Sequence, residues 1–362
     1  MTDISYCLEN YPLPKIGVIG AGGRLGTEIV KTLVNQQITV VAIASKQKSW
    51  GDGVMHHEYG LNSKPQDLQQ LFQKLDAVIN AAPVSSSMLL KEAIVAGCHV
   101  IDVGIETKVI QELLQLDDLA KERQCCLVAM AGLAPGLTGL LGTELLAKTS
   151  SANLVDVCLI QNSQGTSGET GTKDMLDLLT SDSKKFKSCL VSKEQNFNVV
   201  KIKAFGFDTP ESVLLQDRER LKFYTVFDRS SLNTLIVNLG RIRQYLPSVY
   251  GLIRDKIAAA KAGKSIPNRE AITLSAVAKS LDGKVDSWSS YHLASDYGAT
   301  AAIACTTAAI TLSNRDVFGA GYLSSFVNLE TLSQHPWMQK VILASFNQEQ
   351  NSKMRSQFDH QH

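Results

Sequence analysis

The sequence has little that would mark a nucleic-acid-binding protein. Its 362 residues carry 36 Lys and Arg against 35 Asp and Glu, which gives a formal net charge of +1 with no basic cluster. Because nucleic-acid binding requires a basic patch, this class of partner is disfavoured. Charged residues form 20% and hydrophobic residues 44% of the chain, as in an ordinary globular protein. A chain of this length is expected to hold two domains, each with its own core.

The seven cysteines have neither the spacing of a disulfide framework nor that of a metal site. Cys125 and Cys126 are adjacent in an apolar run, as buried reduced thiols would be, and this usage predicts a cytoplasmic protein. Residues 1–13 lack the pattern of a secretion signal. The uncharged stretches 124–143 and 298–313 are broken by proline and glycine or too short, so no integral membrane segment is expected.

What the sequence does contain is a glycine-rich loop between an apolar strand predicted at 15–19 and an amphipathic helix. The loop reads Gly-Ala-Gly-Gly-Arg-Leu-Gly over positions 20–26 and fits a G-x-x-G-x-x-G frame better than G-x-G-x-x-G. Without side chains the backbone can approach a dinucleotide pyrophosphate, at which the helix N-terminus directs its N–H groups. A plain connecting turn is the alternative. The loop residues predicted to bind a cofactor are Gly20, Gly22, Gly23, Arg24 and Leu25.

The end of the second predicted strand, 38–44, indicates which dinucleotide is bound. An acidic residue here would bind the ribose hydroxyls of NAD. The chain instead has Ser45, Lys46 and Lys48, whose hydroxyl and ammonium groups would attract a 2′-phosphate. NADP(H) is therefore predicted in preference to NAD(H). The alternative is that both lysines are ordinary surface residues and that Asp52 reaches the ribose.

Alternating strands and helices continue to about position 130 and predict an α/β fold, with an N-terminal Rossmann doubly wound parallel sheet. Strands are predicted at 76–80, 99–103 and 125–130, one helix at 108–123, and a less regular third strand near 55–59. Ligands of such sheets lie at the carboxyl ends of the strands. Ala82 and Pro83 are therefore predicted to border the cofactor, although Pro83 could simply terminate its strand.

Several segments together point to a family: the glycine loop, the AAP strand end, AGCHVIDVG at 96–104, AGLAPGL at 131–137 and YGATA at 297–301. In these segments the chain resembles the saccharopine dehydrogenase-like oxidoreductases, especially the saccharopine reductase branch, carboxynorspermidine synthases and lysine 6-dehydrogenases. The Gly/Thr-rich segment 168–172 is similar to a loop of more distant members. The resemblance implies hydride transfer between NADP(H) and a C–N bond of an amino-acid-derived substrate.

The resemblance also implies a substrate domain inserted before a C-terminal helix that returns to the Rossmann domain. From position 135 the pattern becomes α+β, with a mostly antiparallel sheet predicted from runs at 154–161, 199–204 and 221–227 and from a hairpin over 271–292. The predicted division is a Rossmann domain 1–134, a substrate and dimerisation domain 135–295, a helical return 296–346 and a disordered tail 347–362. A homodimer is expected, with the basic helical stretch 230–266 outside or at its contact.

Three residues are candidates for catalysis. Asp102 ends a strand on the cofactor side, where it could act as an acid or base or cap a turn. Lys173 follows the Gly/Thr-rich segment and could bind a carboxylate, donate a proton or simply be solvated. Tyr297 lies where the substrate domain is expected to rejoin the sheet, although the alternative, a buried aromatic with a satisfied hydroxyl, suits that place better. No metal site is predicted.

Two other functions stay open. One is a reductase of the same fold that acts on an enoyl or carbonyl group, for which an apolar cleft would be expected. The other is a protein that binds NADP without catalysis, which would lack a titratable group near the nicotinamide. The fold alone does not distinguish these functions from an amino-acid oxidoreductase.

Overall fold

A computed structural model of the chain describes residues 14–46, 48–51, 53–60, 64–83, 87–165, 169–181, 186–193, 198–206, 208–261, 270–314 and 316–347. The strands are β1 Lys15–Ile19, β2 Thr39–Ala44, β3 Val54–Glu58, β4 Ala77–Asn80, β5 His99–Asp102, β6 Cys126–Ala129, β7 Leu154–Gln161, β8 Phe186–Lys193, β9 Asn198–Gly206, β10 Leu221–Phe227, β11 Ile272–Lys279, β12 Val285–Leu293, β13 Gly319–Tyr322 and β14 Ile342–Asn347. The predicted disordered tail lies outside the described residues except for Asn347.

The helices are α1 Arg24–Val34, α2 Gln69–Phe72, α3 Met88–Val95, α4 Thr107–Leu114, α5 Asp117–Glu122, α6 Leu137–Lys148, α7 Glu169–Thr180, α8 Pro210–Leu214, α9 Ser230–Tyr245, α10 Pro247–Lys261, α11 Asp296–Ser313, α12 Leu323–Phe326, α13 Leu329–Gln334 and α14 Pro336–Gln339. The chain divides into two compact units. The first unit is the chain up to Leu140 together with Tyr297–Val341, and the second is Leu141–Asp296 together with the chain from Ile342.

The first unit contains a parallel sheet in the order β13-β6-β5-β4-β1-β2-β3. Strands β4 and β6 are buried along their whole length, as expected for strands that helices cover on both faces. Helix α1 packs through Ile29, Val30 and Leu33. The predicted Rossmann-type sheet is confirmed, including a third strand, which spans Val54–Glu58 rather than 55–59 and pairs with β2.

Two features of this unit differ from the sequence prediction. The single helix predicted at 108–123 is two helices, α4 and α5. The second helix begins at Asp117, whose carboxylate accepts a hydrogen bond of 2.8 Å from the Ala320 amide. That amide belongs to β13, which was not predicted because its sequence, Gly-Ala-Gly-Tyr, has no β-branched residue. A Cβ at Gly319 would lie 2.5 Å from Asp117 Oδ1, so the contact requires glycine there.

The second unit contains a sheet in the order β14-β12-β11-β7-β10-β9-β8. Its neighbouring strands are antiparallel except for the parallel pair β7 and β10, so the predicted mostly antiparallel sheet is confirmed. The predicted hairpin is β11 and β12, and its turn contains Gly283 at φ +81°. A cluster of apolar side chains joins α7 and α9 to this sheet: Leu176, Leu179, Phe205, Phe227 and Ile236.

The Gly/Thr-rich segment predicted as a loop at 168–172 is helical from Glu169, where α7 begins, and position 168 lies outside the described residues. The C-terminal helix expected to return to the Rossmann domain is α11, which is buried along most of its length in the first unit. Strand β14, by contrast, extends the second sheet, whereas the sequence grouped it with the return to the first. Among the described helices, none combines the length and apolar character needed to cross a bilayer.

Candidate functional site

The glycine loop after β1 is shaped by close backbone contacts. Gly20 has φ +77°, and a Cβ at this position would lie 2.9 Å from the Ala82 nitrogen. A Cβ at Gly26 would lie 2.2 Å from the Gly20 carbonyl oxygen, closer than any real contact. The Gly23 amide donates to the same oxygen at 3.0 Å and closes the turn. Glycine is therefore required at positions 20 and 26, which agrees with the G-x-x-G-x-x-G frame.

The N-terminus of α1 is open toward solvent. Its N-cap, Gly23, offers no side chain to the first-turn amides, and the first turn has no acidic residue to neutralise the positive end of the helix. Gly22 and Gly23 are exposed, and Arg24 and Leu25 are half-buried. Such an end can bind an anion through backbone N–H groups, so the loop fits a dinucleotide diphosphate.

Ser45, Lys46 and Lys48 are all exposed where β2 ends. Lys48 is directed back toward α1, because its Nζ donates a hydrogen bond of 3.2 Å to the Thr27 hydroxyl. The same ammonium lies 4.9 Å from the centre of the Trp50 ring. A cation is thus held beside the helix that follows the glycine loop. An anionic group bound at the end of β2 would meet this ammonium.

The ends of β4 and β5 are joined by two polar side chains that lie opposite each other in the strand register, Asn80 and Asp102. Asn80 Nδ2 donates to Asp102 Oδ1 at 2.7 Å and to the Ala82 carbonyl oxygen at 3.2 Å. The Ala82 amide donates in return to Asn80 Oδ1 at 3.3 Å. Asn80 therefore fixes the segment that packs against Gly20, and Pro83 follows it as an exposed residue.

Asp102 is completely buried, and its Oδ2 has no hydrogen-bond partner of normal geometry. Burial raises the pKa of this carboxyl from the ordinary value of 3.8 to about 6, and the hydrogen bonds from Asn80 and the Gly104 amide oppose the shift only in part. Its side chain is inaccessible to solvent in this structure. Asp102 thus combines a near-neutral pKa with a place at the carboxyl ends of the strands.

Tyr297 belongs to the first unit, and its ring lies under the guanidinium of Arg24, with 4.5 Å between Arg24 Cζ and the ring centre. One turn further along α11, the Thr300 hydroxyl accepts a hydrogen bond of 3.4 Å from the Leu133 amide. The start of α11 thereby contacts both the glycine loop and the AGLAPGL turn after β6. Two segments on which the family resemblance depends, YGATA and AGLAPGL, meet here.

Lys173, the remaining catalytic candidate, lies in the second unit. Its Nζ is 3.6 Å from Asp255 Oδ1, and that carboxylate also pairs with Arg254 at 3.0 Å. Arg254 in turn binds Asp177 at 2.6 Å. Lys173 is therefore part of a group of ion pairs that joins α7 to α10. Within the described ranges, no group of three or more His, Cys, Asp and Glu is placed to hold a metal ion.

Comparison with known proteins agrees with the geometry of the glycine loop. Residues 15–113 match the family described as semialdehyde dehydrogenase, NAD binding domain. Comparison with the curated protein sequences finds no match.

Solved structures extend the similarity over nearly the whole chain. Apo saccharopine dehydrogenase (L-Glu forming) from Saccharomyces cerevisiae superposes with a TM-score of 0.58 at 12% identity, over 92% of this chain and 99% of the yeast protein. The chain shares the saccharopine dehydrogenase fold. An engineered D-amino acid dehydrogenase bound to NADP+ covers 90% of this chain at a TM-score of 0.50 and 9% identity, with 97% of its own chain matched. DAP dehydrogenase of C. glutamicum in complex with DAP superposes with a TM-score of 0.51 at 10% identity. The match covers 89% of this chain and 96% of the C. glutamicum protein.

The resemblance to the saccharopine dehydrogenase-like family is thereby confirmed at the level of the fold. The structure brings together the glycine loop, the β4 and β5 ends and the start of α11. Sequence reasoning missed Asn80, Thr27, Trp50 and Thr300. Only Asn80 carried a signal, because a polar residue that ends an apolar strand is expected to meet Asp102 at the end of the neighbouring strand.

Proposed function

We propose that this chain is an NADP(H)-dependent oxidoreductase that transfers a hydride at a C–N bond of an amino-acid-derived substrate. The observation that carries the proposal is the backbone of the glycine loop, where Gly20 and Gly26 leave no room for a side chain before an uncapped helix. The shared fold with saccharopine dehydrogenase, D-amino acid dehydrogenase and DAP dehydrogenase supports the substrate class.

The cofactor is proposed to lie along the carboxyl ends of the first sheet. The N–H groups after Gly23 would bind its diphosphate, and Ala82 and Pro83 would border it beside β4. Ser45, Lys46 and Lys48 would bind a 2′-phosphate, since they offer a hydroxyl and two ammonium groups and Lys48 is already directed toward α1. When bound, the nicotinamide ring supplies or accepts the hydride.

Asp102 and Lys173 are the proposed acid/base and substrate-binding groups. A carboxyl with a pKa of about 6 exchanges its proton near neutral pH, which suits a reaction in which an imine is reduced most readily after protonation. Lys173 supplies a positive charge that fits a substrate carboxylate, and its pairing with Asp255 would hold it in place.

We further propose a cytoplasmic homodimer. The cysteines that the structure describes are free and buried, which suits a reducing compartment. Helices α9 and α10 and Leu246 between them expose apolar side chains that fit a contact between subunits, namely Leu235, Leu246 and Leu252.

Fluorescence titration with NADPH and with NADH tests the cofactor preference. We expect tighter binding of NADPH, and a loss of about tenfold or more in NADPH affinity when Lys46 and Lys48 are both replaced by Ala, because each charge-assisted contact contributes about 1.5 kcal/mol or more. NADH affinity should stay within about twofold. The control is Lys91→Ala with Lys108→Ala, which removes the same charge from helices of the same unit.

Equal affinities for the two cofactors, unchanged in the Lys46/Lys48 variant, would contradict the NADP preference. Glu58→Gln adds a second check, because Glu58 ends β3 opposite Ala44 and is an acid that could bind the ribose in place of Asp52, which lies outside the described residues. A fall in NADH affinity in this variant would favour NAD(H). Absorbance of the reduced cofactor during a screen of amino acids and 2-oxo acids then tests catalysis.

A further inference from the structure

The pairing of Arg24 with Tyr297 assigns a role to an aromatic residue far from the glycine loop in the sequence. Arg24 is the first residue of α1, and its guanidinium lies 4.5 Å above the Tyr297 ring. A guanidinium carries five N–H donors, and stacking on an aromatic face restricts the many rotamers of the Arg side chain. The pair therefore holds a positive charge beside the uncapped helix end.

Tyr297 is itself held firmly. Helix α11 is buried along most of its length, and the Cys305 thiol donates to the Ile29 carbonyl oxygen of α1 at 3.9 Å. Thr300 binds the Leu133 amide, and a Cβ at Gly132 would lie only 3.4 Å from the Thr300 methyl group. The backbone of the helix that carries the ring is thus held against α1 and the turn after β6.

The sheet order indicates which part of a dinucleotide Arg24 would meet. Helix α11 contacts Leu133 after β6, which lies on one side of β1 in the sheet, whereas Ser45 and Lys48 follow β2 on the other side. Arg24 therefore stacks on a residue of the helix that contacts the β6 side of the sheet, whereas the residues proposed for the 2′-phosphate follow β2. We therefore expect Arg24 to meet the diphosphate, which would lie between the two halves of the cofactor.

We propose that Tyr297 is a positioning residue that holds the Arg24 guanidinium against the cofactor diphosphate, and that it is not the proton donor. The inference rests on the proposed function, since it requires that a dinucleotide binds. The aromatic ring of Tyr297, and not its hydroxyl, holds the guanidinium in place. This positioning role replaces the sequence-based prediction that Tyr297 is a catalytic residue.

Affinity measurements on variants of the full chain test the role of the ring. Tyr297→Phe keeps the ring and should bind NADPH and NADH as the unaltered protein does. Tyr297→Leu should weaken both cofactors by the same factor, about three- to tenfold, the range of a cation–π contact. Tyr245→Leu is the matched control, because that tyrosine is 74% exposed in the second unit.

Arg24 variants complete a double-mutant cycle. Arg24→Lys keeps the charge but loses the planar stacking group, so it should show a loss similar to that of Tyr297→Leu, and it covers the case in which Tyr297→Leu does not fold. The double variant with Tyr297→Leu and Arg24→Lys should lose less than a further twofold in cofactor affinity relative to either single variant, since both changes break the same interaction.

Each outcome separates this inference from the proposed function. If the unaltered protein binds neither cofactor, the proposed function fails. If it binds NADPH and neither Tyr297→Leu nor Arg24→Lys weakens binding, the positioning role is wrong. A loss confined to NADPH would move Arg24 to the 2′-phosphate and overturn the diphosphate assignment. A Tyr297→Phe variant with normal affinity but no turnover, and a lost limb in its pH profile, would make the hydroxyl the proton donor after all.

Discussion

Two aspartates, one in each sheet, are buried completely and are treated differently by their surroundings. Asp156 lies within β7, where Oδ2 accepts hydrogen bonds from Lys279 Nζ at 2.7 Å and from the Leu190 amide at 3.0 Å. Asp102 lies at the end of β5, and its side-chain partner is the neutral amide of Asn80. In the part of the chain that the structure describes, no cation pairs with Asp102.

The difference separates a structural carboxylate from a candidate functional one. A buried charge opposite a cation ties strands together, here β7, β11 and β8. A buried carboxyl without a cation exchanges its proton close to neutral pH. Asp102, which has a near-neutral pKa and lies at the carboxyl end of a parallel strand, is therefore a better candidate for a functional residue than Asp156.

Removing the cation of the second unit should have the largest effect. Lys279→Met leaves Asp156 as an uncompensated buried charge and is expected to lower the free energy of unfolding by about 3 kcal/mol, measured by urea-induced unfolding at pH 7. Lys284→Met, on the exposed hairpin turn, is the matched control and should change stability by less than about 0.5 kcal/mol. Adding Asp156→Leu to Lys279→Met should restore most of the loss; no recovery would mean that Lys279 acts through its packing.

The pH dependence of stability tests Asp102. Because its pKa is raised from 3.8 to about 6, the folded protein binds this proton more tightly than the unfolded chain does. The carboxyl therefore contributes stability that is fully present below about pH 4 and is lost as the pH rises through about 6. The loss amounts to about 3 kcal/mol.

Asp102→Asn removes this titration while keeping the shape of the side chain. Urea unfolding of both proteins between pH 4 and pH 7 should show the variant gaining on the unaltered protein by about 3 kcal/mol as the pH rises. Parallel curves for the two proteins would mean that Asp102 does not titrate in this range.

The smallest expected effect concerns Asn80. Its hydrogen bond favours the charged form of Asp102, so Asn80→Ala should raise the pKa of that carboxyl further. The loss of stability would then continue to a higher pH, and stability at pH 7 should fall by about 1–2 kcal/mol. The same pH series, repeated on Asn80→Ala with Asp102→Asn, should show no such extension; if it does, another group is responsible.

The elements that the sequence predicted well are those whose side chains alone decide the structure. Strands β7 and β10 have the predicted bounds because both are runs of apolar and β-branched residues. Strand β13 was missed, because Gly-Ala-Gly-Tyr becomes a strand through its pairing with β6 and the carboxylate of Asp117. These contacts come from residues distant in the sequence and leave no local pattern.

The candidate site divides in the same way. The glycine loop and the strand ends at Ala82 and Asp102 follow from local pattern and from the rule that parallel strands end together. The pairing of Tyr297 with Arg24 required the path of α11, which no periodicity specifies.

Because α11 and β13 belong to the first unit, that unit remains incomplete until synthesis has passed Tyr322, where β13 ends. In a nascent polypeptide that ends before Tyr297, β6 would be an open sheet edge. The apolar surfaces of the first unit that pack against α11 would be exposed. Unfinished edges of this kind pair readily with other chains. An emerging chain therefore exposes aggregation-prone surface until these segments have been made.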